Sequence, residues 1–202
     1  MVSVYLVIAV QSCLLFFLQF GERFLPSNFL ARKLCHAGSG LLMLYLDAKE
    51  VIARVFVYSV IIISLGITWK LFPTWVPSFR FGEDYDSGIT IYLIIVCAWF
   101  FFQQPPIALA PLFFADPAGA VVGKFFTRQG MNKLWWANKT VAGSAAVFVF
   151  AFLSLSVDDI PDRLGIAAVC ALAEAFGGKT YDNAFIAVPA LGSWIYFHGW
   201  VA

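Results

Sequence analysis

The sequence predicts an all-α fold, a polytopic transmembrane helical bundle of about eight spans, two of them short. Three observations predict it. The chain of 202 residues is 61% hydrophobic and only 12% charged, with a mean hydropathy of +0.84, well to the apolar side of ordinary soluble domains. Apolar runs recur at about the 20-residue length that a membrane-crossing helix needs. The basic residues between those runs sort strongly to one side.

Taken in order, the runs are Val2–Phe20, Leu34–Leu46, Val51–Phe72, Gly88–Phe102, Pro106–Phe126, Thr140–Val157, Leu164–Phe176 and Ala184–Val201, the second and seventh being the short pair. Val2–Phe20 has no basic segment before it and no small-residue cleavage site after it, so it reads as a retained span rather than a signal peptide. Aromatic residues gather near run ends, as at Trp69 and Trp75, Trp135 and Trp136, and Trp194 and Trp200, which suits anchoring at a membrane interface. With eight crossings, one face collects Arg23, Arg32, Lys33, Lys70, Arg80, Lys124, Arg128, Lys133, Lys139 and Lys179, ten in all, and the other only Lys49, Arg54 and Arg163. The positive-inside rule makes the first face cytoplasmic, or its stromal or matrix equivalent. The expectation is a single integral membrane domain over residues 1–202, without repeats, low-complexity tracts or a soluble domain.

Composition also excludes functions. A net charge of +1 leaves no clustered cationic excess for a phosphate backbone, so no nucleic acid is expected as partner. Cys13, Cys35, Cys97 and Cys170 stand in separate apolar runs without a Cys-x-x-Cys pair. They read as small core residues, neither a disulfide framework nor a zinc site.

The unusual polar residues fall on or near the ten-cation face. Asp116 lies inside an apolar run, eight residues before Lys124, about 12 Å along a helix. Ionised in hydrocarbon it costs a few kcal/mol on insertion scales, so it should face a polar cavity as ligand, counter-ion or proton carrier. Gly119, Ala120 and Gly123 follow on the same helical face. Their strip admits either a phosphate to the backbone or a neighbouring helix, since Gly119 and Gly123 also form a small-xxx-small packing motif.

Lys139 with Thr140, Gly143 and Ser144 is read as opening a helix, where free N–H groups and the dipole favour an anion. A lysine snorkelling above small packing residues is the alternative. Arg32, Lys33 and His36 begin the second run, with Arg32 and His36 one turn apart. In Glu83-Asp84-Tyr85-Asp86, Asp84 and Asp86 are hard oxygen donors suited to Mg²⁺ when phosphates complete the shell, or a plain acidic loop. Glu174 lies within the seventh run. Asp182 and Asn183 begin the eighth, Asn183 also suiting an N-cap. The Asp158-Asp159-Ile160-Pro161-Asp162 stretch falls on the opposite face as a solvated turn. Soluble phosphate-binding motifs fail, because Lys124 is followed by Phe125 and Ala173 occupies the first-glycine position before Gly178-Lys179-Thr180. Two histidines, His36 and His198, build neither a metalloprotease motif nor a Ser-His-Asp set.

The ordered set Arg32-Lys33…His36, Gly88…Tyr92, Asp116-x-Ala118…Gly123-Lys124, Lys139-Thr140-x-x-Gly143-Ser144, Glu174 and Asp182-Asn183…Pro189 resembles the polyprenol kinase family, which includes phytol, farnesol and dolichol kinases and a CTP-dependent diacylglycerol kinase. The likeness covers residues 32–189. Ala115, Pro117 and Thr140 depart from the family pattern; Thr140 keeps the hydroxyl of the usual serine, and Pro117 is expected to bend its helix at the carboxylate.

The resemblance implies an integral membrane, multi-pass enzyme, of the chloroplast or endoplasmic reticulum membrane if eukaryotic, moving the γ-phosphate of CTP to an isoprenoid alcohol such as phytol, farnesol or geranylgeraniol, with Mg²⁺ or another divalent cation. It implies catalytic roles for Asp116, His36 and Glu174 and metal binding by Asp116, Asp84 and Asp86. Nucleotide or phosphate contacts would come from Arg32, Lys33, Gly119, Gly123, Lys124, Lys139, Thr140, Gly143, Ser144, Asp182 and Asn183. Candidate bases are His36, Asp84 and Glu174. The alternatives are a dolichol or diacylglycerol kinase, a cytidylyltransferase-like enzyme making a CDP-lipid, and an ion or solute transporter, which would also keep an intramembrane carboxylate.

Overall fold

A computed structural model of the chain describes residues 3–178 and 180–200. Lys179, counted among the ten cations, and the outermost residues of the first and last runs lie outside them. The described residues form eight α-helices: α1 (Val4–Phe20), α2 (Asn28–Met43), α3 (Val51–Thr68), α4 (Ser87–Phe101), α5 (Ala110–Arg128), α6 (Val141–Ser154), α7 (Ile160–Gly177) and α8 (Asp182–His198). A 3-10 turn, Pro106–Leu109, precedes α5, and two short strands, β1 (Leu134–Trp136) and β2 (Lys139–Thr140), stand between α5 and α6. The fold is therefore helical, with one helix for each predicted run.

Crossing a membrane is a narrower property. Two helical stretches are long and apolar enough for it, Val51–Thr68 and Pro106–Arg128, while α1, α4 and α6 are apolar but shorter. The eight-span count is not reached on this criterion. The physical reason in α2, α7 and α8 is polarity inside the helix itself: Asn28, Arg32 and Lys33 in α2, Asp162, Arg163 and Glu174 in α7, Asp182 and Asn183 in α8.

Helix limits follow from local chemistry. The short runs become helices of 16 and 18 residues because side-chain caps start them earlier than the apolar residues do. Ser27 Oγ accepts from Leu30 N at 3.3 Å, and Asp159 Oδ2 accepts from Asp162 N at 3.1 Å with Pro161 in the first turn. Asp159, expected in a solvated turn, is thus the N-cap of α7. Such a cap is worth about 1 kcal/mol. Among the helices that end on a residue with positive φ are α3, α4 and α5, at Lys70 (φ 53), Gln103 (φ 55) and Gly130 (φ 67). Each is followed by the paired reverse hydrogen bonds of a left-handed C-terminal cap, for example Leu71 N to Gly66 O at 2.8 Å and Lys70 N to Ile67 O at 3.2 Å. α5 continues through Pro117 without interruption.

The chain divides into two compact units, Met1–Pro106 and Ile107–Ala202. In the first, α1 packs on α2 and α3 on α4. Arg80 pins the loops there: its guanidinium donates to Leu18 O at 2.6 Å, Leu25 O at 2.9 Å and Asn28 Oδ1 at 2.9 Å. The second unit is built on α5, α6, α7 and α8, whose apolar core includes Ala115, Val147, Ala151, Ala167, Cys170 and Ile186. Its tightest seam is α5 against α6, and it is the glycines that permit it. A Cβ on Gly143 would stand 3.0 Å from Gly119 O, and one on Gly123 would stand 2.9 Å from Thr140 Oγ1 and 3.3 Å from Gly143 Cα.

Candidate functional site

Three carboxylates meet inside the second unit. Asp116 from α5, Glu174 from α7 and Asp182 from the start of α8 bring oxygens within 4.8 Å of one another. Asp116 is 5% and Glu174 6% exposed, with Asp182 half-buried. Lys139 on β2 donates its ammonium to Glu174 and lies 3.9 Å from Asp182 Oδ2. Burying this much charge is expensive unless the groups are paired or hold a cation.

Each side chain is brought there by a local device. Asp116 is carried on the continuous α5 one turn before Gly119, where the glycine seam lets α6 close on the helix. Glu174 and Asp182 are separated by a tight turn in which Gly178 takes φ 68, ψ −138 and Tyr181 N donates to Gly177 O at 3.1 Å. Gly177 has no room for a side chain: a Cβ there would lie 2.8 Å from both N and Cα of Asp182. Asp182 Oδ1 also accepts from Asn183 N at 2.9 Å, which orients the carboxylate.

Lys139 stands immediately before Thr140, the N-cap of α6, so the stretch does open a helix as expected, and a hairpin fixes the lysine there. β1 and β2 pair antiparallel, Trp136 opposite Lys139, and the helix begins one residue after Thr140, its N-cap. Thr140 Oγ1 accepts from Gly143 N at 3.2 Å and Ser144 Oγ accepts from Trp135 Nε1 at 2.9 Å. The hydroxyls expected to seat a phosphate therefore already serve the fold, and Gly119, Gly123 and Gly143 face one another across the α5–α6 seam. Lys124 lies exposed on α5, two turns after Asp116.

Asn132 escapes a sequence reading. Its Nδ2 donates to Gly123 O at 3.0 Å and Thr127 Oγ1 at 3.1 Å, and its Oδ1 accepts from Ala142 N at 3.2 Å. One amide thereby ties the end of α5 to the beginning of α6 and fixes the base of the hairpin that carries Lys139. The only sequence signal is a lone amide after the Gln129-Gly130 stop. Trp136 is a second such residue, packed edge-on against Phe176 of α7 at 4.9 Å, two residues from Glu174.

The remaining predicted residues belong to the first unit and form separate arrangements there. Arg32 on α2 bridges Glu83 at 2.8 Å and Asp86 at 2.5 Å. Asp86 also caps α4, its Oδ1 accepting from Ile89 N at 3.0 Å. Asp84 pairs with Lys70 at 2.6 Å, and this bond holds the Lys70 ammonium above its usual range. His36 packs on Tyr92 with ring centres 4.4 Å apart, and Lys33 is half-buried on α2. Each carboxylate of this acidic loop thus meets a cation, Glu83 and Asp86 sharing Arg32 and Asp84 taking Lys70.

As a donor set, the three carboxylates of the second unit fit a hard divalent cation such as Mg²⁺, which takes oxygen ligands and is bound through a few carboxylates with phosphate completing the shell. Among the described residues no other group of three metal-ligating side chains converges in this way. Comparison of the chain with protein-family models, curated proteins and solved structures found no match.

Proposed function

We propose that this chain is a multi-pass membrane enzyme that phosphorylates the hydroxyl of an isoprenoid alcohol with CTP as donor. The observation that carries the reading is the convergence of Asp116, Glu174 and Asp182 with Lys139. The ordered motifs that resemble polyprenol kinases support it. Phosphoryl transfer asks for positioning and charge neutralisation more than for covalent chemistry, and a buried carboxylate set with a lysine beside it provides both. Eight membrane passages and a cytoplasmic or stromal active face belong to the same proposal, resting on the ten-to-three sorting of cations.

In this reading Asp116, Glu174 and Asp182 hold the divalent cation. When bound, that cation would supply charge neutralisation to the nucleotide phosphates. Lys139 donates to the phosphate chain, with Lys124 at the rim. Glu174 accepts the hydroxyl proton as the alcohol oxygen bonds to the γ-phosphorus; the bond to the β-phosphate bridging oxygen breaks and CDP leaves. The isoprenoid tail stays in the bilayer with its hydroxyl at the interface, which accounts for a one-sided polar site.

The test is incubation of membranes containing the full chain with γ-labelled CTP, ATP or UTP and phytol, farnesol, geranylgeraniol, dolichol or diacylglycerol. The expected result is labelled prenyl phosphate from CTP, lost in Asp116→Asn and Lys139→Ala. No labelled lipid with any donor would overturn the kinase reading, and a CDP-lipid product would make the chain a cytidylyltransferase instead. Labelling abolished by His36→Gln and retained by Glu174→Gln would move the base to His36.

A further inference from the structure

The hairpin between α5 and α6 does more than hold Lys139. Met131, Leu134, Trp135 and Trp136 are 66%, 67%, 40% and 47% exposed, so all three residues of β1 show apolar surface outward. This surface is rigidly displayed: the Trp135 indole N–H is held by Ser144 Oγ, Trp136 leans on Phe176, and Val141 N closes the hairpin base by donating to Lys133 O at 2.9 Å. Gly130 and Met131 donate their N–H groups back into the end of α5. Backbone groups paired in this way lower the cost of entering a medium poorer in water.

The charge around it has one sign. From Pro117 to Val157 the chain has four basic residues, Lys124, Arg128, Lys133 and Lys139, and no acidic one. Arg128 and Lys133 are exposed, and among the described residues neither makes an ion pair with a carboxylate. Indole rings prefer the headgroup level of a bilayer, and basic residues beside them are drawn to anionic lipid.

We infer that the 128–139 hairpin is a docking surface for anionic phospholipid headgroups, bedding Trp135 and Trp136 at the interface while Arg128 and Lys133 engage the lipid phosphates. The inference rests on the membrane part of the proposed function and not on the kinase reaction. Because β2 carries Lys139, the same contact steadies the lysine beside the carboxylate cluster.

The test reconstitutes the full chain into nanodiscs of mixed phosphatidylcholine and phosphatidylglycerol, with bromine on the acyl chains of one lipid at a time. Fluorescence of the wild type minus that of a Trp135→Phe/Trp136→Phe variant isolates the two indoles. Brominated phosphatidylglycerol is expected to quench this signal several-fold more than brominated phosphatidylcholine at equal content. In Arg128→Gln/Lys133→Gln the two lipids should quench alike, since each cation near the surface is worth about five-fold in anionic lipid enrichment. Lys133→Gln alone, expected to halve the preference roughly on a logarithmic scale, serves if the double variant does not fold.

Equal quenching in the wild type, or a preference that survives loss of both cations, overturns the inference. A chain that does not enter the discs at all defeats the membrane reading itself. Reconstituted protein with the quenching preference but no labelled lipid product defeats only the kinase reading.

Discussion

The two units each gather carboxylates beside a lysine or arginine, and they do so in opposite ways. In the first, Glu83, Asp84 and Asp86 lie in one loop, and each meets a cation from elsewhere, Arg32 or Lys70. In the second, Asp116, Glu174 and Asp182 arrive from three different helices, two of them buried, and converge on one another as well as on Lys139. Neighbours in sequence have been separated into ion pairs, and residues far apart in sequence have been collected. The exposed Lys70–Asp84 and Arg32–Glu83 pairs add little stability, while Asp86, already paired with Arg32, caps α4. Buried like charges are retained only where something else repays them, and for this reason the second arrangement is the one read as a reaction centre.

That contrast can be broken by substitution, and the largest effect is expected at the centre. Asp116→Asn should lower labelled-lipid formation by about 10²–10³-fold, in the range for loss of one preorganised charge, whereas Asp86→Asn should cost less than about ten-fold through a weakened α4 cap and Arg32 bridge. Equal losses would erase the distinction between the units. Gly177→Ala comes next. The added methyl group must displace Asp182, and a shift of about 1 Å at a reacting centre is worth up to about 10²-fold. Here kcat should fall while the protein stays folded by circular dichroism; an unchanged rate would show that Asp182 need not be held there.

Asn132→Ala probes positioning without touching the carboxylates. Losing an amide that makes three hydrogen bonds should cost about 1–3 kcal/mol, read as a lower Tm in detergent, with a smaller loss of rate than Gly177→Ala. The smallest effect belongs to the exposed Lys70–Asp84 pair. Its folded-state lysine pKa is raised, so whatever stability it contributes is complete below the ordinary lysine range and is lost as pH rises through the raised value. Asp84→Asn should therefore leave activity unchanged at neutral pH, and any Tm difference from the wild type should shrink only in strongly alkaline buffer.

How much of this was legible in the sequence differs between fold and site. All eight helices follow from the apolar runs, because burial or lipid exposure of a helix leaves a strong compositional trace. Their ends are less legible. Lys70 and Gln103 stop helices in the left-handed conformation without glycine, so α3 and α4 end before the expected Phe72 and Phe102. Ser27 and Asp159 start α2 and α7 within stretches that look like loop. The hairpin left no alternation to find, since β1 has three residues and β2 two, and Ala137-Asn138 is not a glycine turn.

Within the site, Asp116 and Glu174 announce themselves as charges in apolar helices. Asp182 does not, because it sits at a helix start where an acidic residue has ordinary reasons to be. Only the Gly177–Gly178 turn and the packing of α5 and α7 against α8 bring it to the other two, and the packing is a tertiary fact. The glycines illustrate the converse: Gly119, Gly123 and Gly143 satisfy a phosphate-seat pattern and a packing pattern equally in sequence, and the close approach of α5 to α6 is what separates the two.

The central claim, that the second unit's carboxylates form the cation centre, is tested most directly by Mn²⁺ binding to the purified full chain followed by electron paramagnetic resonance. Saturable Mn²⁺ binding that Mg²⁺ displaces is expected, lost in Asp116→Asn and Glu174→Gln and retained in Asp84→Asn and Asp86→Asn. Binding that survives both second-unit substitutions, or that disappears with Asp84 or Asp86 instead, would contradict it.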